Sequence, residues 1–220
     1  MIVASITSGR EAYRLSPFFE MPLKTLEAIN YRQEVFRDLE NRALQLHLAS
    51  FAEAMRTVRS CVEQSEARYC RLEKERWFLD AMTRYCEGAV RLADDFGEAP
   101  LKSTGLMAFR DYLGGYEGSD AFKSLRDEAR RIADELAAIR YSVHIEGDRI
   151  EVRRYSSEPD YSHEVALTFE KFEQGAVREY SFRFHHYAGM NHVDEAILDR
   201  VAQLFPQPFS ALSEFCMRHR

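Results

Sequence analysis

Residues 119–139, SDAFKSLRDEARRIADELAAI, constrain the fold more than any other stretch of the chain. Phe122, Leu125, Ala129, Ile132, Leu136 and Ile139 recur at steps that alternate between three and four residues. That spacing is the seam of one long amphipathic helix. Ser119 suits its N-cap, and Asp120 suits the positive end of the helix dipole. At 1.5 Å per residue the rod is roughly 30 Å long. Immediately after it the pattern changes to strand alternation, YSVHIEGDRIEVRRY, and a further long helical pattern begins only at Asn191. The expected architecture is therefore mainly α. Long antiparallel helices from residues 1–139 and 188–220 carry a small β-rich insertion, residues 140–187, at the tip of two of them. The seam is expected to pack along the helix that starts at Asn191.

The preceding residues read as helices throughout. Leu26, Ile29, Gln33, Phe36 and Leu39 mark a first helix over 25–40, after the breakers Pro17 and Pro22. Asn41 looks like the cap of the next, with Leu44, Leu48, Phe51, Met55, Val58 and Val62 inward to about residue 66. A third helix spans about 68–95, with Leu72, Leu79, Met82, Cys86, Ala89 and Ala93 inward and Gly97 as its C-cap. Leu106, Phe109, Tyr112 and Leu113 suggest a shorter fourth, ended by Gly114, Gly115 and Gly118. Within the insertion, Gly147-Asp148 is a two-residue turn between alternating runs, which predicts a β-hairpin. A short helix over 162–172 and a third strand at Tyr180, Phe182 and Phe184 complete the expected sheet. Pro206 and Pro208 kink or break the returning helix before Leu212 and Phe215.

Composition bounds the function. The net charge of −6 excludes a generally basic nucleic-acid binder but not a local basic contact. The four cysteines, Cys61, Cys70, Cys86 and Cys216, form no CxxC pair, and three lie within helical patterns, so reduced buried thiols are expected. No apolar run approaches a signal peptide or the ~18 residues of a membrane span, which favours a cytoplasmic protein that avoids membranes.

No motif carries an evident active site. There is no P-loop and no GxGxxG. Gly114-Gly115-Tyr116-Glu117-Gly118 lies between helices and lacks the strand that a phosphate loop follows. His185, His186, His192 and Asp194 are the only metal-like group, but adjacent strand histidines point to opposite faces. Glu73, Glu75, Asp94 and Asp95 read as a solvated helix face, and Lys123/Asp127, Arg130/Asp134 and Arg131/Glu135 as surface pairs. Cys61 and Cys86 sit on apolar stripes, which argues against a catalytic thiol, and Trp77 reads as an inter-helix packing residue. The insertion holds a group of cations, Arg149, Arg153, Arg154, Lys171, Arg178 and Arg183, that could meet phosphates. Acids outnumber cations between Glu146 and Glu179, so it is not basic overall.

Residues 26–40, LEAINYRQEVFRDLE, resemble the start of the helical lever domain of MutS-type DNA mismatch-repair proteins. There a segment of the form I-x-x-R-Q-x-x-h-x-D-L follows a proline-containing loop. Ile29, Arg32, Gln33, Val35, Phe36, Asp38 and Leu39 match it here, with Pro22 before them. The order of elements is also similar: one lever arm at 119–139, a clamp-like insertion at 140–188 and a returning arm at 191–218. Phe18-Phe19-Glu20 and Phe51-Ala52-Glu53 fit the Phe-x-Glu of that family's mismatch reader but lack its domain. The ATPase P-loop of the family is missing as well. The resemblance therefore implies a non-catalytic lever and clamp portion of a longer ATPase, or a divergent relative. It implies weak, sequence-independent backbone contact with double-stranded DNA, and ATP with Mg and a homodimer only for a full-length relative. A helical adaptor that binds a protein partner is the alternative, and it requires an exposed apolar stripe.

Overall fold

The computed structural model describes residues 22–146, 149–156 and 192–220. In chain order they form α1 (Leu26–Leu39), α2 (Arg42–Ala67), α3 (Arg71–Glu98), α4 (Thr104–Glu117), α5 (Asp120–Ala137), β1 (Tyr141–Glu146), β2 (Arg149–Arg154), α6 (His192–Leu204) and α7 (Pro206–His219). The fold is mainly α with a small antiparallel β-hairpin, as the periodicities require. The expected short helix at 162–172 and the strand at Tyr180–Phe184 lie outside the described residues. The chain divides into two compact units. The first holds the described residues through Glu53 together with Gly88–Ser119, and the second Ala54–Glu87 together with Asp120–Arg220. Helices α2 and α3 each contribute to both.

In the first unit the core is Leu44, Leu92, Phe96 and Leu113, with Leu39, Leu48, Phe51 and Leu106 packed against it. Phe96 and Phe109 meet edge to face at 5.3 Å. Asn41 caps α2 through its side-chain oxygen, which accepts from the Ala43 N–H at 3.0 Å. Helix α1 lies against α4, where the Tyr31 ring sits so close to Gly105 that a Cβ there would be 2.6 Å from the Tyr31 hydroxyl.

The orientation of α1 departs from its sequence stripe. Leu26 is 74% exposed and Phe36 69% exposed, although both belong to the stripe whose spacing marks the helix. The reason is Asp38. Two residues apart on a helix point to nearly opposite sides, so burying Asp38 turns Phe36 outward. Buried Asp38 accepts hydrogen bonds from the Lys102 N–H at 2.9 Å and the Ser103 N–H at 2.7 Å. This ties α1 to the loop before α4, whose own N-cap is the buried Ser103.

Two glycine assignments are also corrected. Gly97 lies inside α3, and Gly114 and Gly115 lie inside α4, which ends only at its C-cap Gly118. A Cβ at Gly97, Gly114 or Gly115 would meet nothing within 4 Å. Helix-interior glycine costs about 1 kcal/mol relative to alanine. These positions weaken the helix without stopping it.

In the second unit the α5 seam is the centre of the core. Ala129 and Ile132 pack with Leu79 of α3 and with Leu212, Phe215 and Cys216 of α7, while Leu125 and Leu136 flank them. The partner of α5 is thus α7, not the helix that starts after Asn191. That helix, α6, packs on β2 and meets α7 end on. The returning arm is broken at Phe205, whose backbone leaves the helical region at φ −124° and ψ 63°. Pro206 then opens α7 at a first-turn position where its missing N–H costs nothing. Arg218 of α7 reaches Glu128 of α5 with both guanidinium nitrogens, at 2.6 and 3.1 Å.

Glu75 is a further correction. It is buried, not part of a solvated face. Its carboxylate accepts from Arg71 at 3.0 Å and from the Ser213 hydroxyl at 2.8 Å, linking α3 to α7. Glu73 is half-buried and faces Arg68 at 3.3 Å, and the Arg68 guanidinium lies over the half-buried Trp77 ring. Of the expected surface pairs, Arg131–Glu135 forms at 2.7 Å, whereas Asp127 is held by Arg126 at 3.2 Å.

Candidate functional site

The described part of the insertion is the hairpin. β1 and β2 pair antiparallel with Tyr141 opposite Arg154, Ser142 opposite Arg153, Val143 opposite Val152 and His144 opposite Glu151. Directly opposed residues share a face. Tyr141, Val143, Val152 and Arg154 form one face, and Ser142, His144, Glu151 and Arg153 the other. Val152 is buried, and burial also pushes the Tyr141 hydroxyl above its usual pKa.

The six candidate phosphate contacts separate accordingly. Arg154 is an anchor. Its guanidinium donates to the Leu204 carbonyl, at the C-terminal end of α6, and lies 4.9 Å from the centre of the Phe205 ring. A cation suits the last carbonyls of a helix, which lack intrahelical partners. Arg154 therefore fastens β2 to the α6–α7 break. Arg153 is on the opposite face, over half exposed, and donates to Glu151 at 2.6 Å. That hydrogen bond holds the Glu151 carboxyl below its usual pKa. Arg200 of α6 also acts on Glu151, so that face carries cations of two elements around one acid. Arg149 is placed by its backbone opposite Glu146 at the turn end of the hairpin. Lys171, Arg178 and Arg183 lie outside the described residues, so the structure brings together Arg153 and Arg154 of the set, on opposite faces.

The other candidate chemistries find no geometry. Among the described residues no group of three His, Cys, Asp or Glu side chains could hold a metal ion. His192 is exposed and faces Glu195 at 3.5 Å, while His185 and His186 lie outside the described residues. Burial pushes the thiols of Cys86 and Cys216 up to about 11 and raises that of Cys61. All three are protonated at neutral pH and shielded from solvent, the reverse of an activated nucleophile. Phe51 of the Phe-Ala-Glu sequence packs on the first unit's core. No described helix is long and apolar enough to cross a membrane.

What the sequence pattern does not disclose is the anchor role of Arg154 and the loop-holding role of Asp38. The only available signal for the first is an arginine at the end of a strand, which by itself does not separate an anchor from a ligand contact. The signal for the second is an acid on the polar side of an amphipathic pattern, which reads as solvated.

No protein-family model, curated protein or solved structure matches the chain.

Proposed function

We propose that this chain is a non-catalytic lever and clamp element of a MutS-like DNA-repair ATPase. In this role it carries no chemistry of its own and touches the phosphate backbone of double-stranded DNA through its β insertion. The observation that carries the reading is the path of the chain in the second unit. Helix α5 leads directly into the hairpin, and the chain returns through α6 and α7, with α7 lying back along α5. The support is narrower than the sequence pattern asks, because α6 packs on the hairpin and only α7 lies against α5. Packed helices of this kind can move as one body and transmit a displacement to their tip.

The proposed phosphate contacts are Arg153 with Arg149, Lys171, Arg178 and Arg183. Arg154 supports the hairpin instead. Up to five phosphate contacts give a slope of log affinity against log salt of about −4.5, from −0.9 per contact. Fluorescence anisotropy of the full chain with duplexes of unrelated sequence tests this. The expected result is equal affinity for each duplex, with a loss of up to nearly three orders of magnitude between 50 and 200 mM salt. Absence of binding at the lower salt refutes the reading. ATP, Mg and a nucleotide-binding domain belong to the proposal only for a longer relative, whereas a cytoplasmic setting belongs to the proposal for this chain itself.

The second reading, a helical adaptor for a protein partner, is favoured by one specific observation. Leu26 and Phe36 leave an apolar stripe open on α1.

A further inference from the structure

Glu151 and Arg153 stand two residues apart on β2, so their side chains share one face of the strand. The Arg153 guanidinium donates to the Glu151 carboxylate at 2.6 Å, and the two side chains are 55% and 60% exposed. An ion pair so open to water contributes little to stability. Its larger consequence is for binding, because it occupies a cation that the clamp reading assigns to phosphate. Helix α6 brings a second cation to the same acid. The helix packs on β2, and Arg154 fixes its last turn to the end of the strand through the Leu204 carbonyl. Arg200 lies one turn before Leu204, is exposed and donates to Gln203 at 2.8 Å. Its charge reaches Glu151, as does that of His144, directly opposite Glu151 in the ladder, when the imidazole is protonated. A carboxylate and a phosphate offer the same pair of oxygens to a guanidinium fork. A place that gathers Arg153 and Arg200 around one carboxylate therefore suits a phosphate as well.

We propose that Arg153 and Arg200 form a phosphate site in which the Glu151 carboxylate is the built-in competitor. A phosphate that binds there takes over the two guanidinium groups, and Glu151 swings into solvent; no covalent bond forms or breaks. Arg200 lies on α6, outside the insertion, so the site spans two elements and adds a cation to the set that the insertion supplies. Because Arg154 ties α6 to β2, the contacts that fasten the hairpin also fix the spacing of the two cations. Glu151 sets a threshold that every phosphate must exceed, and it gives no preference for sequence. That the phosphate is one of the DNA backbone rests on the clamp reading, whereas the site itself does not.

Two titrations of the full chain test it. Each compares the wild type with Glu151→Gln, Arg200→Ala and the control Asp120→Asn, which removes the same charge at the end of α5 far from the hairpin. Circular dichroism checks that each variant folds. In fluorescence anisotropy with duplex DNA, Glu151→Gln is expected to tighten binding about two- to fivefold, the scale of an exposed ion pair, and Asp120→Asn to change it less. Arg200→Ala weakens binding to all duplexes alike and reduces the salt slope by about 0.9. In the second titration inorganic pyrophosphate is added and the arginine Nε–H signals are followed by NMR. Those of Arg153 and Arg200, assigned by their loss in the alanine variants, are expected to move together, and at lower pyrophosphate concentration in Glu151→Gln. Pyrophosphate binding without DNA binding refutes the clamp reading and leaves the phosphate site in place. DNA binding that is no tighter in Glu151→Gln than in Asp120→Asn, or a salt slope unchanged in Arg200→Ala, overturns the site and leaves the clamp reading in place. Pyrophosphate that moves neither arginine signal overturns the site as well.

Discussion

Replacing Asp38 by alanine should destabilise the first unit strongly, and the loss should depend on pH. The carboxylate accepts two backbone N–H groups, from Lys102 and Ser103, in a buried setting. Burial on its own raises the Asp38 pKa. The hydrogen bonds from Ser103 and Lys102, and the nearby Lys102 charge, outweigh it and hold the carboxyl below 3.8. At about 1.5 kcal/mol for each hydrogen bond to a charged acceptor, Asp38→Ala costs ~3 kcal/mol at pH 7. For a chain of this size that is a fall in Tm of about 6–12 °C.

The sign of the pH effect follows from the depressed value. The stabilisation is complete above the ordinary carboxyl range and is lost as pH falls through the folded-state pKa, where the native carboxylate takes up its proton. The gap between wild type and Asp38→Ala therefore narrows on going from pH 7 towards pH 3. Asp38→Asn keeps the shape and one acceptor oxygen without the charge, so it lies between the two at pH 7. Thermal denaturation followed by circular dichroism at pH 3, 5 and 7 provides the three comparisons. A loss below ~0.5 kcal/mol at pH 7, or a gap that does not change between pH 7 and pH 3, would show that Asp38 does not hold the α3–α4 loop.

Three further outcomes are expected. Ile132→Ala, in the fully buried seam between α5 and α7, should cost about 3–4 kcal/mol in urea denaturation, because the side chain leaves a cavity lined by Leu79, Leu212 and Phe215. Cys70, the one cysteine among the four that is not buried, should react with an aromatic disulfide reagent in the native chain at pH 8, while Cys61, Cys86 and Cys216 react only on unfolding. Arg153→Ala should weaken DNA binding and leave Tm within about 1 °C, because its ion pair with Glu151 is exposed. Arg154→Ala should lower Tm through loss of the Leu204 and Phe205 contacts. Equal effects of the two on DNA binding at matched stability would contradict their separate roles.

The parts of the fold that were legible in the sequence are those in which one spacing specifies one buried stripe. The α5 seam is the clearest, because Phe122, Ala129 and Ile132 have no competing apolar face and all three are buried. The hairpin is legible for a similar reason, since strand alternation flanks a two-residue turn. Periodicity names a stripe but not its partner, which is why the seam points to a long return helix and finds α7. The prolines at 206 and 208 mark the break, but the direction the chain takes beyond it is set by how Phe205 and Arg154 meet. On α1 two sides compete. The buried hydrogen bonds of Asp38 determine the outcome, and a polar residue that organises a loop is silent in an apolar pattern. Glu75 is hidden in the same way, because its partner Ser213 lies far along the chain.

The candidate site is legible only as a segment. Charge counting finds the insertion, but the alternation that builds a hairpin also places neighbouring arginines on opposite faces. The pair Arg153-Arg154 therefore divides into a cation paired with Glu151 on one face and an anchor to α6 on the other, a distinction that depends on where α6 ends. The motif residues of 26–40 separate likewise: Asp38 and Leu39 hold the first unit together, while Gln33 and Phe36 face outward.

Hydrogen–deuterium exchange of the full chain with and without a duplex, at low salt, tests the central claim most directly. DNA should slow exchange in the hairpin at 141–154 and in the segment that follows it up to residue 187, and leave α1 and α4 unchanged. Protection confined to the first unit, or no protection anywhere with DNA in excess, would contradict the clamp reading.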